Sequence, residues 1–288
     1  MGGTLVHQIS GAIVATGVLL LLCTLVERVN SRGAFRWAER WPGVLFGLLN
    51  PVFAILVAIP LKLLWATLGV GPLVHLAPLG LGLVGTTFLT LLVTDFLMYW
   101  EHRFEHRFFW PVHAVHHSVE QLSAANSYSH PAQFLPMFAL ITVPLSLIDF
   151  GSIAVPALVS TVVFFLQLFI HSPVKLGFGP LRHLFVDPAF HRIHHSLEER
   201  HFDRNFSILF SFWDRLFGTQ VMPDKGQWPQ VGIHEAASPR TVGELLAFPL
   251  RLWGILPSLP AAPPIGPAET SALPDADAPA NRHSALGV

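Results

Sequence analysis

The sequence has 288 residues, of which 52% are hydrophobic and only 12% are charged. So few charges cannot solvate the surface of a soluble globular protein of this size, and the composition predicts a membrane protein. The formal net charge is -1 and no long run of Lys or Arg occurs, which argues against nucleic-acid binding and against electrostatic docking to an acidic partner.

Five apolar stretches approach the roughly 20 residues that a helix needs to cross a bilayer. The first has no basic segment before it and no Ala-x-Ala site, so we expect a retained anchor rather than a cleaved signal. The last two are short and meet at Asp149-Phe150-Gly151, which predicts a helical hairpin that either crosses the membrane or dips in and returns. The sequence therefore predicts four or five spans, within 9–26, 44–64, 79–98, 134–148 and 153–170.

Basic residues predict the orientation of these spans. Four arginines, at positions 28, 32, 36 and 40, follow the first apolar stretch and are expected to stay in the cytoplasm. The uncharged loop 70–78 would then lie outside, and the chain would return to the cytoplasm after Trp100. Two histidine-rich segments, 100–131 and 171–219, are therefore expected to meet on the cytoplasmic face.

Histidine is the unusual feature of the composition, because 12 of the 16 histidines lie between His102 and His201. Eight of them form three clusters with offsets of three or four, which share one face of a helix. Eight imidazoles exceed the six ligands of one octahedral ion, so the count predicts two metal ions. The single cysteine, Cys23, excludes a Cys-based site. The clusters are His102-x-x-x-His106, His113-x-x-His116-His117 and His191-x-x-His194-His195.

Three other interpretations of these histidines fit the sequence less well. A solvated, pH-sensitive histidine surface fits poorly beside apolar spans. A non-enzymatic membrane metal-binding or transport protein predicts polar residues threaded through several spans, and these spans carry almost none. A hydrolytic zinc site needs an open coordination position, which so many ligands disfavour.

The three clusters also occur within longer motifs. These are Asp95-x-x-x-Tyr99-Trp100-x-His102-Arg103-x-x-His106, His113-x-x-His116-His117-Ser118 and Pro188-x-x-His191-Arg192-x-His194-His195-Ser196, followed by Asn205-Phe206 and Trp213-Asp214-Arg215-Leu216-Phe217-Gly218-Thr219. In this order they resemble the sterol desaturase and fatty acid hydroxylase superfamily, over about 94–219. The resemblance implies a membrane-bound, oxygen-dependent enzyme that hydroxylates or desaturates a sterol, fatty acyl chain, ether lipid or carotenoid.

The resemblance also implies the site and its cofactors. Two iron ions and O2 would be the cofactors, and because the chain has no haem or flavin motif, a separate ferredoxin, cytochrome or reductase would supply electrons. His171, in Gln167-x-x-x-His171, would be a ninth ligand, with Gln167 holding water or a ligand. His130 and His183 are further candidate ligands, and could equally be supporting or surface residues.

Two more polar residues are candidate supports for the ligands. Asp95 could accept the second ring N–H of a ligating histidine, and Asn205 belongs to the closing motif. We thus predict an all-α membrane bundle with a cytoplasmic helical cap that holds the dimetal site. The predicted regions are a transmembrane region 1–93, a catalytic domain 94–222 that includes the hairpin, a peripheral segment 223–256 with a short interfacial helix, and a disordered, Pro/Ala-rich tail 257–288.

Overall fold

The computed structural model describes residues 2–32 and 35–257, and these residues are mostly helical. The predicted disordered tail lies outside the described residues, except for Pro257. The all-α prediction is confirmed, since the described strands are one parallel two-residue pair, β1 (Val74–His75) and β2 (Ile148–Asp149). The α-helices are α1 (Gly2–Asn30), α2 (Trp41–Thr67), α3 (Gly82–Phe108), α4 (Trp110–His117), α5 (Phe134–Met137), α6 (Val143–Ser146), α7 (Ala154–His171), α8 (Pro188–His194), α9 (Phe212–Leu216) and α10 (Val242–Leu252).

Shorter helical turns connect these elements. One π-helical turn, Phe138–Thr142, joins α5 to α6. The 3-10 turns are Trp37–Glu39, Ala77–Leu79, Ala124–Asn126, Pro131–Gln133, Gly179–His183 and Glu199–His201.

Four helical segments are long and apolar enough to cross a membrane, and they indicate a multi-pass membrane protein. They are Ile9–Asn30, Trp37–Thr67, Gly82–Phe108 and Ala154–His171. Large apolar side chains on their outer surfaces are exposed, among them Leu21, Leu63 and Val84. Such side chains are expected to face lipid. The described residues contain four candidate spans, which confirms the lower number of the predicted four to five.

The fifth predicted stretch forms the first leg of the hairpin. Its helix, Pro131–Ser146, is shorter than the four spans and contains the π-helical turn. The hairpin turn at Ile148–Asp149 pairs with Val74–His75, in the loop between α2 and α3. The hairpin therefore reaches the end of the bundle where α2 and α3 are connected, and its second leg, α7, returns to the histidine-rich end.

A buried glutamate ties the first helix to the histidine-rich end. Glu27, on α1, is 1% exposed and accepts hydrogen bonds from the Ala124 N–H, the Ser172 hydroxyl and the Arg40 guanidinium. These partners lie in three different segments, and Ser172 directly follows α7 and His171. The N-terminal spans are thus joined to the segments that carry the histidines.

Local sequence signals explain the short helices at this end. Pro111 and Pro188 stand in the first turns of α4 and α8, where a missing N–H costs little. Asp187 caps α8, because its carboxylate accepts the Phe190 N–H at 3.0 Å. The predicted C-terminal helix is present as α10, but it buries Phe248 in a cluster with residues of α4. Its apolar side therefore packs on protein rather than only on the membrane.

Candidate metal centre

All nine histidines predicted as ligands lie together at one end of the bundle. Those from the three clusters are carried by α3, α4 and α8, where the offsets of three and four place them on one face, with His195 just past the end of α8. His171 is the last residue of α7. The nine side chains fall into two groups, each with ligand atoms within 4.8 Å of one another.

Group 1 contains five imidazoles. Its Nε2 atoms approach one another in a chain of short contacts: His102 to His113 at 3.1 Å, His113 to His117 at 3.2 Å, and His117 to His106 at 3.1 Å. His194 completes the group, and its buried Nε2 has no hydrogen-bond partner among the described residues.

Group 2 contains four imidazoles. His171 Nε2 lies 3.0 Å from His116 Nε2 and 3.1 Å from His191 Nε2, and His191 Nε2 lies 3.2 Å from His195 Nε2. The two groups are adjacent, because the rings of His117 and His195 stack with centroids 4.4 Å apart. The structure thus brings together two neighbouring clusters of nitrogen ligands.

The opposite ring nitrogens explain why these Nε2 atoms are available. A backbone carbonyl accepts only from an N–H, so a carbonyl beside Nδ1 places the proton of a neutral imidazole there and leaves Nε2 with a lone pair. Four of the nine rings are held in this way. The pairs are His102 with Phe206 O, His116 with Tyr128 O, His171 with Gln167 O and His194 with Arg204 O, at 2.6 to 3.1 Å.

This geometry fits metal ions. Two lone pairs that face each other, as on His116 and His171, repel unless a cation lies between them. A metal–imidazole bond of about 2.1 Å and a right angle between bonds place two ligand nitrogens about 3.0 Å apart. The observed contacts of 3.0 to 3.2 Å match that spacing. Each group is therefore suited to hold one ion.

Burial keeps these imidazoles neutral. Desolvation lowers the pKa of His113 and that of His116 to about 3. The pKa values of the α8 cluster, His191, His194 and His195, are also lowered well below the usual range, first by burial and then by neighbouring histidines. Neutral imidazole is the form that binds a metal.

Two carboxylates contact the rings, and neither was predicted from the sequence. Glu105 Oε2 lies 2.7 Å from His113 Nδ1, and both side chains are almost fully buried. Asp203 Oδ1 lies 3.2 Å from His106 Nδ1, with its own side chain 77% exposed. The signal for Glu105 was available, because a carboxylate near the end of an apolar span is costly without a partner. Asp203 sits on an exposed loop and carries no such signal.

The expectation that Asp95 supports a histidine is corrected. Its carboxylate accepts the backbone N–H groups of Leu209 and Phe210, at 2.9 and 2.8 Å. Asp95 precedes His102 by two turns of α3, about 10 Å along the axis, which is too far for a direct hydrogen bond. Asp95 instead fixes the segment that follows Phe206.

Gln167 and Asn205 contribute mainly through the backbone around the site. The carbonyl of Gln167 accepts from His171 Nδ1, and its side chain lines the cavity described below. The Asn205 amide donates to the carbonyls of Phe190 and Val221, and its backbone has a positive φ of 57°. Asn205 thus ties α8 to the segment around Val221 through hydrogen bonds to the backbone.

Two further candidate ligands lie away from both groups. His130 caps the turn Pro131–Gln133 through Nδ1, and its Nε2 lies 3.4 Å from the Leu246 carbonyl. His183 is exposed at the end of the turn Gly179–His183. Among the described residues, neither of them belongs to one of the two groups of possible ligands, and we propose no metal ligation for them.

The motif Trp213–Thr219 supports the histidine-bearing C-terminal part of α3. Asp214 accepts the backbone N–H groups of Phe206 and Ser207 and the Thr219 hydroxyl, at 2.7 to 3.0 Å. Burial raises its pKa. Because the Phe206 carbonyl accepts from His102, this carboxylate acts on the site through the backbone.

Cavities lie on both sides of the histidines. The first, of about 310 Å³, is lined by residues of α1, α2, α3 and α7 and by histidines of both groups, and we call it the span cavity. The second has the same volume and borders His106, His117 and His194, together with the loops around Asp203 and Gly232. Pockets of this volume accept small ligands or parts of larger ones. The centre is therefore accessible from the spans and from the loops.

Comparison with known proteins agrees with these features. The fatty acid hydroxylase family model matches residues 87–219. The chain is 33% identical to alkylglycerol monooxygenase of Danio rerio over 138 residues, which are 46% of this chain and 30% of that protein. It is 33% identical to ornithine lipid hydroxylase OlsE of Rhizobium tropici over 148 residues, 50% and 44% of the two chains.

Very-long-chain aldehyde decarbonylase GL1-4 of Oryza sativa subsp. indica is 30% identical over 138 residues, 43% of this chain and 22% of that protein. The matches thus span less than half the length of each of these relatives. No solved structure is a significant match. The matched segment, 87–219, contains all nine histidines of the two groups. Over that segment, this chain is similar to the fatty acid hydroxylase family.

Proposed function

We propose that this protein is a membrane-bound, O2-dependent di-iron oxidoreductase that hydroxylates or desaturates a lipid. The observation that carries the proposal is the pair of adjacent imidazole groups, five and four nitrogens, at the end of a membrane bundle. The relatives named as monooxygenase and hydroxylase act on lipids, according to their names.

The proposed ligands of the first ion are His102, His106, His113, His117 and His194. Those of the second are His116, His171, His191 and His195. Imidazole suits iron, zinc, copper and nickel. Five nitrogens in group 1 exceed the four ligands of a usual zinc site. The similarity to the fatty acid hydroxylase family, which is known for iron-dependent oxygenases, supports iron rather than copper or nickel.

Bound iron would supply, with O2 and two external electrons, the oxidising power to remove hydrogen from an unactivated carbon. The residues of this chain hold and shield the site. Glu105 and the carbonyl groups of Phe206 and Tyr128 fix the rings, and burial excludes bulk water from their nitrogens. The span cavity would place a lipid carbon beside the histidines.

A lipid substrate is supported by the position of that cavity. It borders Leu20, Pro51 and Phe164 of the spans as well as the histidines, so an alkyl chain could enter from the bilayer. A separate ferredoxin, cytochrome or reductase would deliver the electrons.

We also propose that the histidine-rich end of the bundle faces the cytoplasm. Arg28 and Arg32 lie at or just past the C-terminal end of α1, and the Arg32 N–H bonds to the Pro173 carbonyl, next to the histidine-rich end. Basic residues at that end favour a cytoplasmic site.

The direct test is lipid oxidation in cells that express the full chain under ¹⁸O2, so that host electron donors can serve. Lipid mass spectrometry should find a host lipid that gains one ¹⁸O atom or loses two hydrogens. His116→Ala should abolish the product, while His183→Ala, at an exposed histidine outside both groups, should retain it. A product that persists in His116→Ala at equal protein level would contradict the proposal.

A further inference from the structure

Two stretches outside the four spans lie against α3 and α7 near the histidine-rich end, and together we call them the collar: residues 175–181 and 207–217. The first stretch packs on α7, because the ring of Phe178 stacks on that of Phe169 with centroids 5.6 Å apart. The second is joined to the first through Ser211, which donates two hydrogen bonds to backbone carbonyls just after the first stretch. The two stretches therefore form one surface beside the spans.

The second stretch of the collar runs along the outer side of α3. Phe210 contacts the exposed ring of Phe88, with centroids 6.1 Å apart. Further along the helix, Trp213 contacts Phe96 at a centroid distance of 5.1 Å. Phe96 precedes His102 by six residues, or about 9 Å along the axis of this candidate span. The stretch therefore lies closer to the middle of the span than the histidines do.

Buried carboxylates make this irregular backbone compatible with lipid. Non-helical backbone at membrane depth needs protein partners for its N–H groups. Asp95 of α3 accepts the N–H groups of Leu209 and Phe210. Asp214 accepts the N–H group of Ser207, and both carboxylates are almost fully buried. These backbone groups are thus satisfied from the protein side, so the outer surface of the collar is formed by side chains.

Exposed leucines and basic residues form that outer surface. Leu176, Leu181 and Leu216 are 56%, 57% and 65% exposed. Lys175 and Arg215 are exposed as well, whereas the one carboxylate in the two stretches is buried. Apolar side chains beside basic ones are typical of surfaces that lie at the boundary between acyl chains and headgroups, where anionic lipids attract Lys and Arg.

We propose that the collar is inserted into the headgroup and acyl boundary of the leaflet at the histidine-rich end, and that it prefers anionic phospholipids. Lipid is favoured over a protein partner because the collar continues the apolar outer surface of α3, where Val84 and Phe88 are exposed. Both exposed charges of the collar are positive, which complements anionic headgroups. The inference goes beyond the proposed reaction and does not depend on bound metal.

Fluorescence quenching measures the environment of the collar in the full chain. The single cysteine is removed by Cys23→Ala, and Leu181→Cys and Leu216→Cys are each labelled with the fluorophore NBD. Labelled chains are placed, one per nanodisc, in a mixture of phosphatidylcholine and phosphatidylglycerol. Val84→Cys, on the outer side of α3, is the lipid control, and Glu199→Cys, at an exposed glutamate, is the aqueous control.

The two collar labels should behave as the lipid control does. Doxyl-labelled phospholipid should quench them at least about threefold more strongly than it quenches the Glu199→Cys label, and aqueous iodide should show the reverse order. Thermal unfolding of each labelled chain, compared with that of Cys23→Ala, establishes that the fold is intact.

The preference for anionic lipid is tested with the same Leu216→Cys label. At equal mole fraction, doxyl-labelled phosphatidylglycerol should quench it at least about twofold more strongly than doxyl-labelled phosphatidylcholine. Lys175→Gln combined with Arg215→Gln should bring this ratio close to one. Arg200→Gln is the matched control at an exposed arginine outside the collar and should retain the ratio.

Three results would overturn the inference. Collar labels that iodide quenches as strongly as the Glu199→Cys label would place the collar in water. Labels shielded from both quenchers would assign the surface to a protein contact. Equal quenching by the two doxyl-labelled lipids, or a ratio that survives the double glutamine variant, would exclude the proposed role of the two basic residues.

Discussion

His116 and His171 approach each other through Nε2 at 3.0 Å, while Nδ1 of each ring lies beside a backbone carbonyl. The carbonyls place the ring protons on Nδ1, so two lone pairs face each other inside the protein. A cation between them turns this repulsion into coordination.

Metal removal should therefore destabilise the fold. A ligand present at 1,000 times its dissociation constant stabilises the native state by about 4 kcal/mol. For a domain of this size, 1 kcal/mol shifts Tm by roughly 2–4 °C, so stripping the metal should lower Tm by roughly 10 °C. Differential scanning fluorimetry in detergent, before and after chelation and after iron is restored, measures the change. An unchanged Tm in protein shown to have lost its metal would argue against coordination by these rings.

The carboxylate of Glu105 should matter more than that of Asp203, although each contacts one histidine. Groups that hold a metal ligand from behind typically contribute 10–100-fold in metal affinity, and a buried one cannot be replaced by water. Glu105→Leu should thus weaken iron binding about 10–100-fold. Asp203→Ala should change it by less than about fivefold, because this side chain is exposed and a surface pair contributes at most about 1 kcal/mol.

Iron affinities from chelator competition test this comparison. Glu105→Gln is the conservative variant and should fall between the wild type and Glu105→Leu. Equal losses in Glu105→Leu and Asp203→Ala would mean that burial does not decide the contribution.

The buried ion pair between Glu27 and Arg40 should be important for stability. The side chain of Arg40 is 6% exposed and that of Glu27 is 1% exposed. Glu27→Ala therefore leaves the guanidinium of Arg40 buried without its carboxylate partner. Breaking such a pair costs about 3–5 kcal/mol. The exposed pair between Arg36 and Glu39 is the matched control, and Arg36→Ala should cost less than about 1 kcal/mol. Thermal unfolding of both variants measures the loss of stability. Similar losses in Glu27→Ala and Arg36→Ala would contradict a larger contribution of the buried pair.

Gly43 should tolerate no side chain. A Cβ at this position would lie 2.7 Å from the Ala125 carbonyl oxygen and would also clash with the Asn126 side chain. Gly43→Ala should therefore push α2 from the turn Ala124–Asn126 and cost roughly 1–3 kcal/mol. Gly11, on α1, has nothing within 4 Å of such a Cβ, so Gly11→Ala should be neutral or slightly stabilising. Unfolding measurements that rank the two variants in the opposite order would contradict this packing.

Much of the site could be predicted from sequence because its ligands share one residue type and helical offsets. His113, His116 and His117 show that pattern directly. His171 stands alone at the end of a span, and the family resemblance suggested it as a ligand together with the cost of placing a histidine at membrane depth without a partner. The carbonyl groups of Phe206 and Tyr128 fix the rings, but they carry no side-chain signal and depend on tertiary contacts.

For the fold, too, local features could be predicted from the sequence and long-range contacts could not. Hydropathy predicted the four spans, since their length and apolar composition are local properties. The pairing of Val74 with Ile148 and the link from Glu27 to Ser172 join residues far apart in the chain, which local patterns do not reveal. The prediction that Asp95 supports a histidine was based on its position on the helix. Its partners are instead backbone N–H groups of a loop that is distant in sequence, which local patterns do not reveal.

The most direct test of the central claim is the metal content of the full chain purified anaerobically, by elemental analysis with Mössbauer spectroscopy. The wild type should hold about two irons per chain, reducible by dithionite and reoxidised by O2. His194→Ala and His116→Ala remove one ligand from group 1 and group 2 respectively, so each should lose mainly one iron, while His183→Ala should keep both. Stoichiometric zinc, or iron that is unchanged in both ligand variants of folded protein, would contradict the di-iron centre.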